Sequence, residues 1–189
     1  MGYWQKINER SAVQKTTPKE TVKEVLTYPF VEAKDRKVSK ETCERFGIRA
    51  ALSEKDGKTV EAYYFPSYNQ KGQVVGFMKQ DITKGKEEEG HWTAVGSVSI
   101  QNKLFGQDVA ESINRKRANV VVTEGQWDAV STFQALVDSV KNTKYEGMEP
   151  QVVSIPLGTK NAAEAILHNE AFVTSFDAAT WSSDDDHYT

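Results

Sequence analysis

Three apolar runs in the second half of the chain have the pattern of buried strands. Residues 119–123 (NVVVT) are almost continuously β-branched, and residues 150–158 (PQVVSIPLG) form a second run that contains Pro156 and ends in Gly158. A weaker third run, residues 178–183 (AATWSS), leads into three aspartates. Because the first run lacks polar alternation, it is typical of a strand covered on both faces, as in a parallel sheet flanked by helices.

Two helical segments separate these runs. The second, NAAEAILHNEAFVTSF at 161–176, has Asn161 in position to cap it. The first has apolar side chains at the spacing of one helix face: Ala129, Val130, Phe133, Leu136, Val137 and Val140. The order strand, helix, strand, helix, strand predicts a right-handed, parallel α/β layer.

The first half of the chain contains a short predicted helix and a predicted hairpin. VSKETCERFGI at 38–48 predicts a short helix, with Ser39 as its N-cap and Gly47 as its stop. Two β-rich runs at 59–68 and 73–82, joined by NQKG, predict a hairpin. The lysine- and glutamate-rich segment that follows the hairpin predicts a solvated loop.

The predicted fold class is therefore α/β, with a partial, Rossmann-like parallel sheet preceded by a smaller α+β subdomain that contains the hairpin. We expect three regions along the chain. Residues 1–29 are a polar tail with one short helix, residues 30–118 are the smaller subdomain, and residues 119–189 are the parallel α/β unit.

Composition gives no global sign of a polyanion partner. The chain has 24 basic and 27 acidic residues, a net charge of −3, so a nucleic-acid contact needs a local basic patch. Arg115, Lys116 and Arg117 are one candidate patch, immediately before the first buried run. A solvated face is the alternative interpretation of such a triplet.

Zinc and membrane sites are not expected. A single cysteine excludes a cysteine-rich zinc site and an intrachain disulfide, and three scattered histidines do not suggest zinc either. No apolar run approaches the roughly 20 residues that span a bilayer. The amino terminus lacks the apolar core of a signal peptide. A cytoplasmic location follows by default.

Acidic residues follow two of the predicted strands. Glu124 ends the first run, and Asp184 and Asp186 follow the third, on one face of an extended segment. Asp128 lies in the first turn of the helix after Glu124. Since ligands gather beyond the carboxyl ends of parallel strands, these carboxylates predict a Mg²⁺ site suited to phosphoryl or nucleotidyl transfer. An ordinary strand end and a solvated acidic tail are the alternatives.

Several of these motifs, in this order, resemble one family. VVVTEGQWDAVS followed by VVSIPLGTKNA resembles the Toprim domain of DnaG-type and phage-type primases. The hairpin YYFPSYNQKGQVVGFMKQD and the segment KLFGQ are similar to the amino-terminal half of the RNA-polymerase domain in bifunctional primase-helicases. The likeness extends from about residue 30 to the end of the chain.

The resemblance implies roles for particular residues. Glu124 is expected to be the essential acid near the metal, Asp128 a supporting carboxylate, and Asp184 and Asp186 ligands of Mg²⁺ or Mn²⁺. Gly125 is expected to let backbone approach substrate phosphate, because that turn needs no Cβ. The residues expected to contact nucleotide or nucleic acid are Lys79, Lys84, Gly158 and Lys160, with the basic triplet at 115–117; exposed lysines at strand ends are the alternative for Lys79 and Lys84.

The resemblance also implies a function, with departures. It implies primer synthesis on single-stranded DNA from nucleoside triphosphates, with a separate helicase or zinc-binding primase chain as a candidate partner. The third strand is poor in Val and Ile, and the last strand and helix of such a domain are expected to be missing, so a carboxyl-terminally truncated unit is expected. The alternatives are a catalytically inactive module that binds nucleic acid or a replication or host-defence protein, and a Toprim nuclease.

Overall fold

The computed structural model describes residues 20–113 and 118–182. Two sheets organise this part of the chain, one antiparallel and one parallel. No helix in these two ranges is long and apolar enough to cross a membrane.

The antiparallel sheet has four strands in sequence order. Its strands are β1 Arg49–Leu52, β2 Val60–Tyr68, β3 Val74–Asp81 and β4 Trp92–Gly96. The central hairpin pairs Tyr64 with Lys79 and Phe65 with Met78. The hairpin predicted from the two β-rich runs is confirmed, with its turn between residues 69 and 73.

The parallel sheet has three strands, and the first of them in sequence lies at its centre. Its strands are β5 Asn119–Thr123, β6 Val152–Ser154 and β7 Ala178–Ser182. Both neighbours run parallel to the central β5, as the strand–helix alternation predicts. All five residues of β7 are exposed, which agrees with its weaker apolar pattern.

The described ranges contain six α-helices. They are α1 Val22–Val25, α2 Lys40–Arg45, α3 Gln107–Ser112, α4 Gln126–Ser139, α5 Ala162–His168 and α6 Glu170–Val173. The Ser39 hydroxyl accepts a 3.2 Å hydrogen bond from the Thr42 amide and so caps α2, and Gly47 follows with φ +70°. The predicted start and stop of this helix are confirmed.

The predicted segment 161–176 is not one continuous helix. It breaks at Asn169, whose buried amide donates to the Asn102 and Ala165 carbonyls at 3.1 and 2.9 Å. Asn161 is the N-cap residue of α5, as predicted, but its side chain makes no capping hydrogen bond; its amide donates instead to the Leu157 carbonyl at 3.1 Å. A 3₁₀ turn, Thr159–Asn161, precedes the helix and changes the geometry there.

The apolar face of α4 contains Ala129, Val130 and Phe133 of the predicted stripe, with Trp127 in addition. Trp127, Ala129, Val130 and Phe133 are buried, whereas Leu136 is 40% exposed. Trp127 packs edge-on against Tyr63 and Phe65 of β2, with ring centroids 5.0 Å apart in each pair. The first turn of α4 is therefore anchored on the antiparallel sheet.

The largest apolar cluster crosses between the two sheets. It joins Phe46, Ile48 and Phe65 from the upstream half to Phe133 and Val152 from the downstream half. The proposed division at residues 118–119 stays a prediction. The end of the proposed tail also packs on the fold, since Val25 of α1 is buried in a cluster with Tyr64 and Phe77 of the antiparallel sheet.

Candidate functional site

Glu124 lies where the carboxyl ends of all three parallel strands meet. Thr123, the last residue of β5, is in register with Ser154 at the end of β6 and with Ser182 at the end of β7. Glu124 follows Thr123 directly and is half-buried. This edge of a parallel sheet is the expected place for a ligand.

An open groove of about 390 Å³ starts at Glu124. One wall comes from the antiparallel sheet through Met78 of β3 and Trp92 of β4, whose side chain is 42% exposed. The opposite wall is the turn after β6, where Leu157 and Gly158 have φ values of +63° and +78°. The groove thus places one carboxylate among apolar and aromatic side chains.

The left-handed backbone at Leu157 is a local strain. A Cβ at positive φ crowds the following carbonyl, and such residues cluster at functional turns. Gly158 adopts the same region with no Cβ and at no such cost. The two residues turn the chain sharply, and this turn forms the groove wall facing Met78 and Trp92.

The other side of the Glu124–Gln126 turn borders a second cavity, of about 220 Å³. Gly125, Trp127 and the exposed Asp128 form its α4 side. Two cations, Arg36 and Lys86, line the same cavity. The Arg36 guanidinium lies 5.9 Å from the centre of the Trp127 ring, within cation–π range.

Gly125 lies close to the side chain of Asp128. Its φ is −115°, which any residue adopts, so the backbone conformation alone does not select glycine. A Cβ placed there would lie 2.6 Å from the Asp128 carboxylate oxygen Oδ2. The Asp128 side chain therefore folds back over Gly125, which brings the two predicted site residues together.

No hydrogen bond or ion pair of the Glu124 carboxylate is found in residues 20–113 and 118–182. Its open side faces the groove shared with Trp92 and Leu157. A half-buried carboxylate with no protein partner in this part of the chain is suited to bind a cation or to accept a proton.

The residues described do not by themselves form a metal site. No group of three acidic, histidine or cysteine side chains that could hold an ion occurs among them. Asp184 and Asp186, the other predicted ligands, lie outside the described residues. Mg²⁺ is usually held by one or two carboxylates with water and substrate phosphate oxygens, so Glu124 would hold it together with substrate or with groups outside the described residues.

Lys79 does not lie on this groove. Side chains alternate along β3, so Met78 lines the groove of Glu124 and Gln80 lines the second cavity, whereas Lys79 faces the opposite side. There its ammonium donates to Glu20 Oε2 at 2.9 Å and lies 5.5 Å from the centre of the Tyr64 ring. Burial, followed by the hydrogen bond to Glu20, raises the pKa of Tyr64.

The remaining predicted contacts are divided between groove and surface. Lys84 lies in the β3–β4 loop, residues 82–91, and its ammonium donates to the Glu89 carbonyl at 3.0 Å. Gly158 borders the groove of Glu124, and Lys160 is exposed in the 3₁₀ turn beside it. Arg115, Lys116 and Arg117 lie outside the described residues.

Sequence reasoning did not identify the antiparallel side of the site. Arg36, Lys86 and Trp92 line it, together with Gln80 and His91. Alternation along β3 was the available signal for Gln80, because it shares a face with Met78. Arg36 and Lys86 carry no local signal, since isolated surface cations are common.

These elements define a class of fold. A parallel β-α-β unit with an acidic residue at its strand edge joins an antiparallel sheet through a common core. This is the Toprim-like architecture of primase catalytic domains.

Comparison with solved structures shows which proteins this chain resembles. The chain is similar to the primase fragment of the bacteriophage T7 primase-helicase protein, with TM-score 0.64 and 20% identity over 97% of this chain and 67% of that one. It is similar to a chain in the T7 lagging-strand DNA polymerase complex with primase domains bound to an RNA/DNA hybrid and dTTP, with TM-score 0.61 and 23% identity, covering 84% and 68%. A third similar structure is the DnaG primase catalytic domain bound to ssDNA, with TM-score 0.55 and 17% identity, covering 82% and 53%.

These likenesses show the fold of a DnaG-like primase domain. The chain spans about two thirds of the T7 chains and about half of the DnaG domain. No family model matches the sequence, and no curated protein matches it.

Proposed function

We propose that this chain is a phage-type primase fragment, which joins ribonucleotides on a single-stranded DNA template in phage DNA replication. The observation that carries the proposal is the position of Glu124, a half-buried carboxylate at the carboxyl edge of the parallel sheet. The fold shared with primase catalytic domains supports the same class of reaction.

The side chains of the Glu124 groove and of the adjoining second cavity match the parts of a nucleotide. Arg36 and Lys86 supply positive charge beside Asp128 for phosphates, and the exposed face of Trp92 offers a surface for a base. Met78 and Leu157 line the groove with apolar surface, which limits water there. Glu124 would accept the proton of an attacking hydroxyl or hold a cation.

The proposed cation is Mg²⁺ or Mn²⁺, held by Glu124 with Asp184 and Asp186. Such an ion supplies neutralisation of the charge that develops on the transferring phosphate. Ser182 pairs with Thr123, so the sequence leading to these aspartates starts at the same edge as Glu124. This register supports the proposal. A separate helicase or zinc-binding chain is the proposed protein partner.

The test is primer synthesis with a matched pair of variants. Purified protein is given single-stranded DNA, nucleoside triphosphates and Mg²⁺, and radiolabelled oligoribonucleotides are measured. Glu124→Gln is expected to abolish synthesis, whereas Glu54→Gln, in the exposed turn after β1, is expected to leave it unchanged. A fully active Glu124→Gln protein would overturn the assignment.

A second candidate function is a catalytically inactive module that binds nucleic acid. It is favoured by the cations Arg36 and Lys86 and the exposed ring of Trp92, which line one cavity and could hold a polyanion without a metal ion. In that case single-stranded DNA binding persists in Glu124→Gln and in excess chelator, and no synthesis is detected with any divalent ion. Fluorescence anisotropy of a labelled oligonucleotide, with and without chelator, separates this candidate from the enzyme.

A further inference from the structure

A chain of buried hydrogen bonds connects helix α4 to the β3–β4 loop. The Trp127 indole Nε1 donates to Gln80 Oε1 at 2.7 Å. The Gln80 amide nitrogen lies 3.1 Å from His91 Nε2, and His91 Nδ1 lies 3.1 Å from the Lys84 carbonyl oxygen. Gln80, His91 and Trp127 are each only 6% exposed.

The two ends of this chain fix the direction of every bond. The indole N–H can only donate, so it requires the Gln80 oxygen and turns the Gln80 amide nitrogen toward His91. The Lys84 carbonyl can only accept, so His91 Nδ1 must carry a proton. His91 Nε2 is then the acceptor for the Gln80 N–H, and only the neutral imidazole with its proton on Nδ1 satisfies all three bonds.

Both other protonation states of the His91 imidazole, the Nε2-protonated and the doubly protonated one, break this series of hydrogen bonds. A proton on Nε2 would set two donors against each other, the imidazole and the Gln80 amide. Rotating that amide would move the conflict to the Trp127 indole, because its nitrogen cannot accept. A buried donor without an acceptor costs more than an ordinary hydrogen bond gains, so the Nδ1–H form is strongly favoured.

The β3–β4 loop, which these hydrogen bonds hold in place, forms one side of the site. Lys84 and Lys86 belong to it, and Trp92 follows it directly as the first residue of β4. The other end of the chain is Trp127, between Gln126 and Asp128 in the first turn of α4. These hydrogen bonds therefore fix the distance between the side of the cavity that carries Lys86 and the side that carries Asp128.

We propose that Gln80 and His91 are positioning residues, which hold the β3–β4 loop against the first turn of α4 with His91 in the neutral, Nδ1-protonated form. We call this hydrogen-bonded connection the latch, and its existence rests on the hydrogen-bond geometry alone. Its effect on catalysis rests on the proposed primase function. The proposal requires no contact of Gln80 or His91 with substrate.

The first test needs no substitution. Two-dimensional ¹⁵N–¹H correlation spectra of uniformly labelled protein at neutral pH report which ring nitrogen of His91 is protonated. The expected result is a protonated-type Nδ1 resonance and a bare-type Nε2 resonance. An Nε2-protonated tautomer, or rapid exchange between the two tautomers, would overturn the proposal.

The second test breaks and then restores the latch. In Gln80→Leu, hydrogen exchange of the Lys84, Glu88 and His91 amides, each bonded within or beside the loop, is expected to become about tenfold faster. In Gln80→Glu the carboxylate accepts from both Trp127 and a doubly protonated His91, so slow exchange is expected to return. The His91 Nε2 resonance is expected to change to the protonated type.

A matched control lies further along α4. Gln134 accepts hydrogen bonds from the Thr42 hydroxyl and the Ser39 amide at 2.6 and 3.2 Å, so it also bridges two elements. Gln134→Leu is expected to leave loop exchange and the His91 spectrum unchanged. Equal effects of Gln134→Leu and Gln80→Leu on the loop would show general destabilisation and overturn the latch.

Activity separates the latch from the proposed function. Gln80→Leu is expected to raise KM for nucleoside triphosphates about tenfold with a smaller effect on kcat, since the loop is displaced but Glu124 is intact. If the unaltered protein makes no primers, the proposed function fails while the tautomer and exchange results still stand. If primers form and the His91 tautomer is the opposite one, only the latch fails.

Discussion

Lys79 and Glu20 form an ion pair, with 2.9 Å between Nζ and Oε2, on the face of β3 opposite to Gln80. Glu20 also accepts the Tyr64 hydroxyl at 2.5 Å. The pair attaches the segment before α1 to the antiparallel sheet. Lys79 therefore contributes to the packing of this segment, on the side away from Glu124.

Lys79→Met is expected to lower the free energy of unfolding by about 1 kcal/mol, because a partly buried carboxylate loses its partner. Affinity for nucleoside triphosphates is expected to stay unchanged, whereas Lys86→Met weakens it several-fold. Urea unfolding and equilibrium nucleotide binding measure the two effects. Weakened nucleotide binding by Lys79→Met alone, without a change in stability, would contradict this assignment.

Phe46 is a central residue of the shared core. It is 3% exposed, and its ring centre lies 5.0 Å from that of Phe133 and 5.6 Å from that of Phe105. Phe46→Ala is expected to cost about 3–5 kcal/mol, because it removes a buried ring and leaves a cavity. Leu167→Ala, at a position 69% exposed, is expected to change stability by less than about 0.5 kcal/mol in the same urea titration.

Asp56 makes stability depend on acid. Its carboxylate accepts from the Thr59 hydroxyl at 2.5 Å and from the Thr59 and Lys58 amides at 2.9 and 2.8 Å. These bonds lower its pKa to about 2 from an ordinary 3.8. The stabilisation is therefore complete above the ordinary pKa and is lost as pH falls through about 2.

Asp56→Asn is expected to remove this dependence. The stability difference between unaltered protein and variant should be constant from pH 7 to about 5 and shrink toward pH 2, as the aspartate of the unaltered protein becomes protonated. Urea unfolding at a series of pH values measures it. A difference that grows with acidity would contradict the assigned hydrogen bonds.

Cys43 is expected to be unreactive in the folded chain. Burial raises the pKa of its thiol from 9.0 to about 11, and the side chain is fully inaccessible. Only the thiolate reacts with disulfide reagents, so labelling at pH 8 should follow unfolding of the chain. Labelling as fast in buffer as in concentrated urea would show that the site opens without unfolding.

The strands of the parallel sheet could be predicted because continuous runs of apolar residues indicate buried strands. Val120 and Val122 are fully buried on the central strand, as such a run predicts. The position of Glu124 follows from the same pattern, since it is the first acidic residue after the run. The Ser39 cap was predictable for a similar reason, because its partner Thr42 is three residues away.

Long-range contacts could not be predicted in this way. Lys79 and Gln80 are adjacent in sequence, and a strand with covered faces gives no local sign of which side receives a ligand. The Gln80–Trp127 bond joins residues 47 positions apart. Asn169 breaks the last helix for a comparable reason, because its amide bonds to Asn102 in a distant segment.

The core cluster that joins Phe46 and Phe65 to Phe133 and Val152 makes the two sheets energetically interdependent. Neither half buries these rings without surface supplied by the other. Unfolding of one sheet therefore exposes the apolar face of its neighbour, and the two should melt in a single cooperative transition. We therefore expect the predicted boundary at residues 118–119 to separate two patterns of strand pairing within one folding unit.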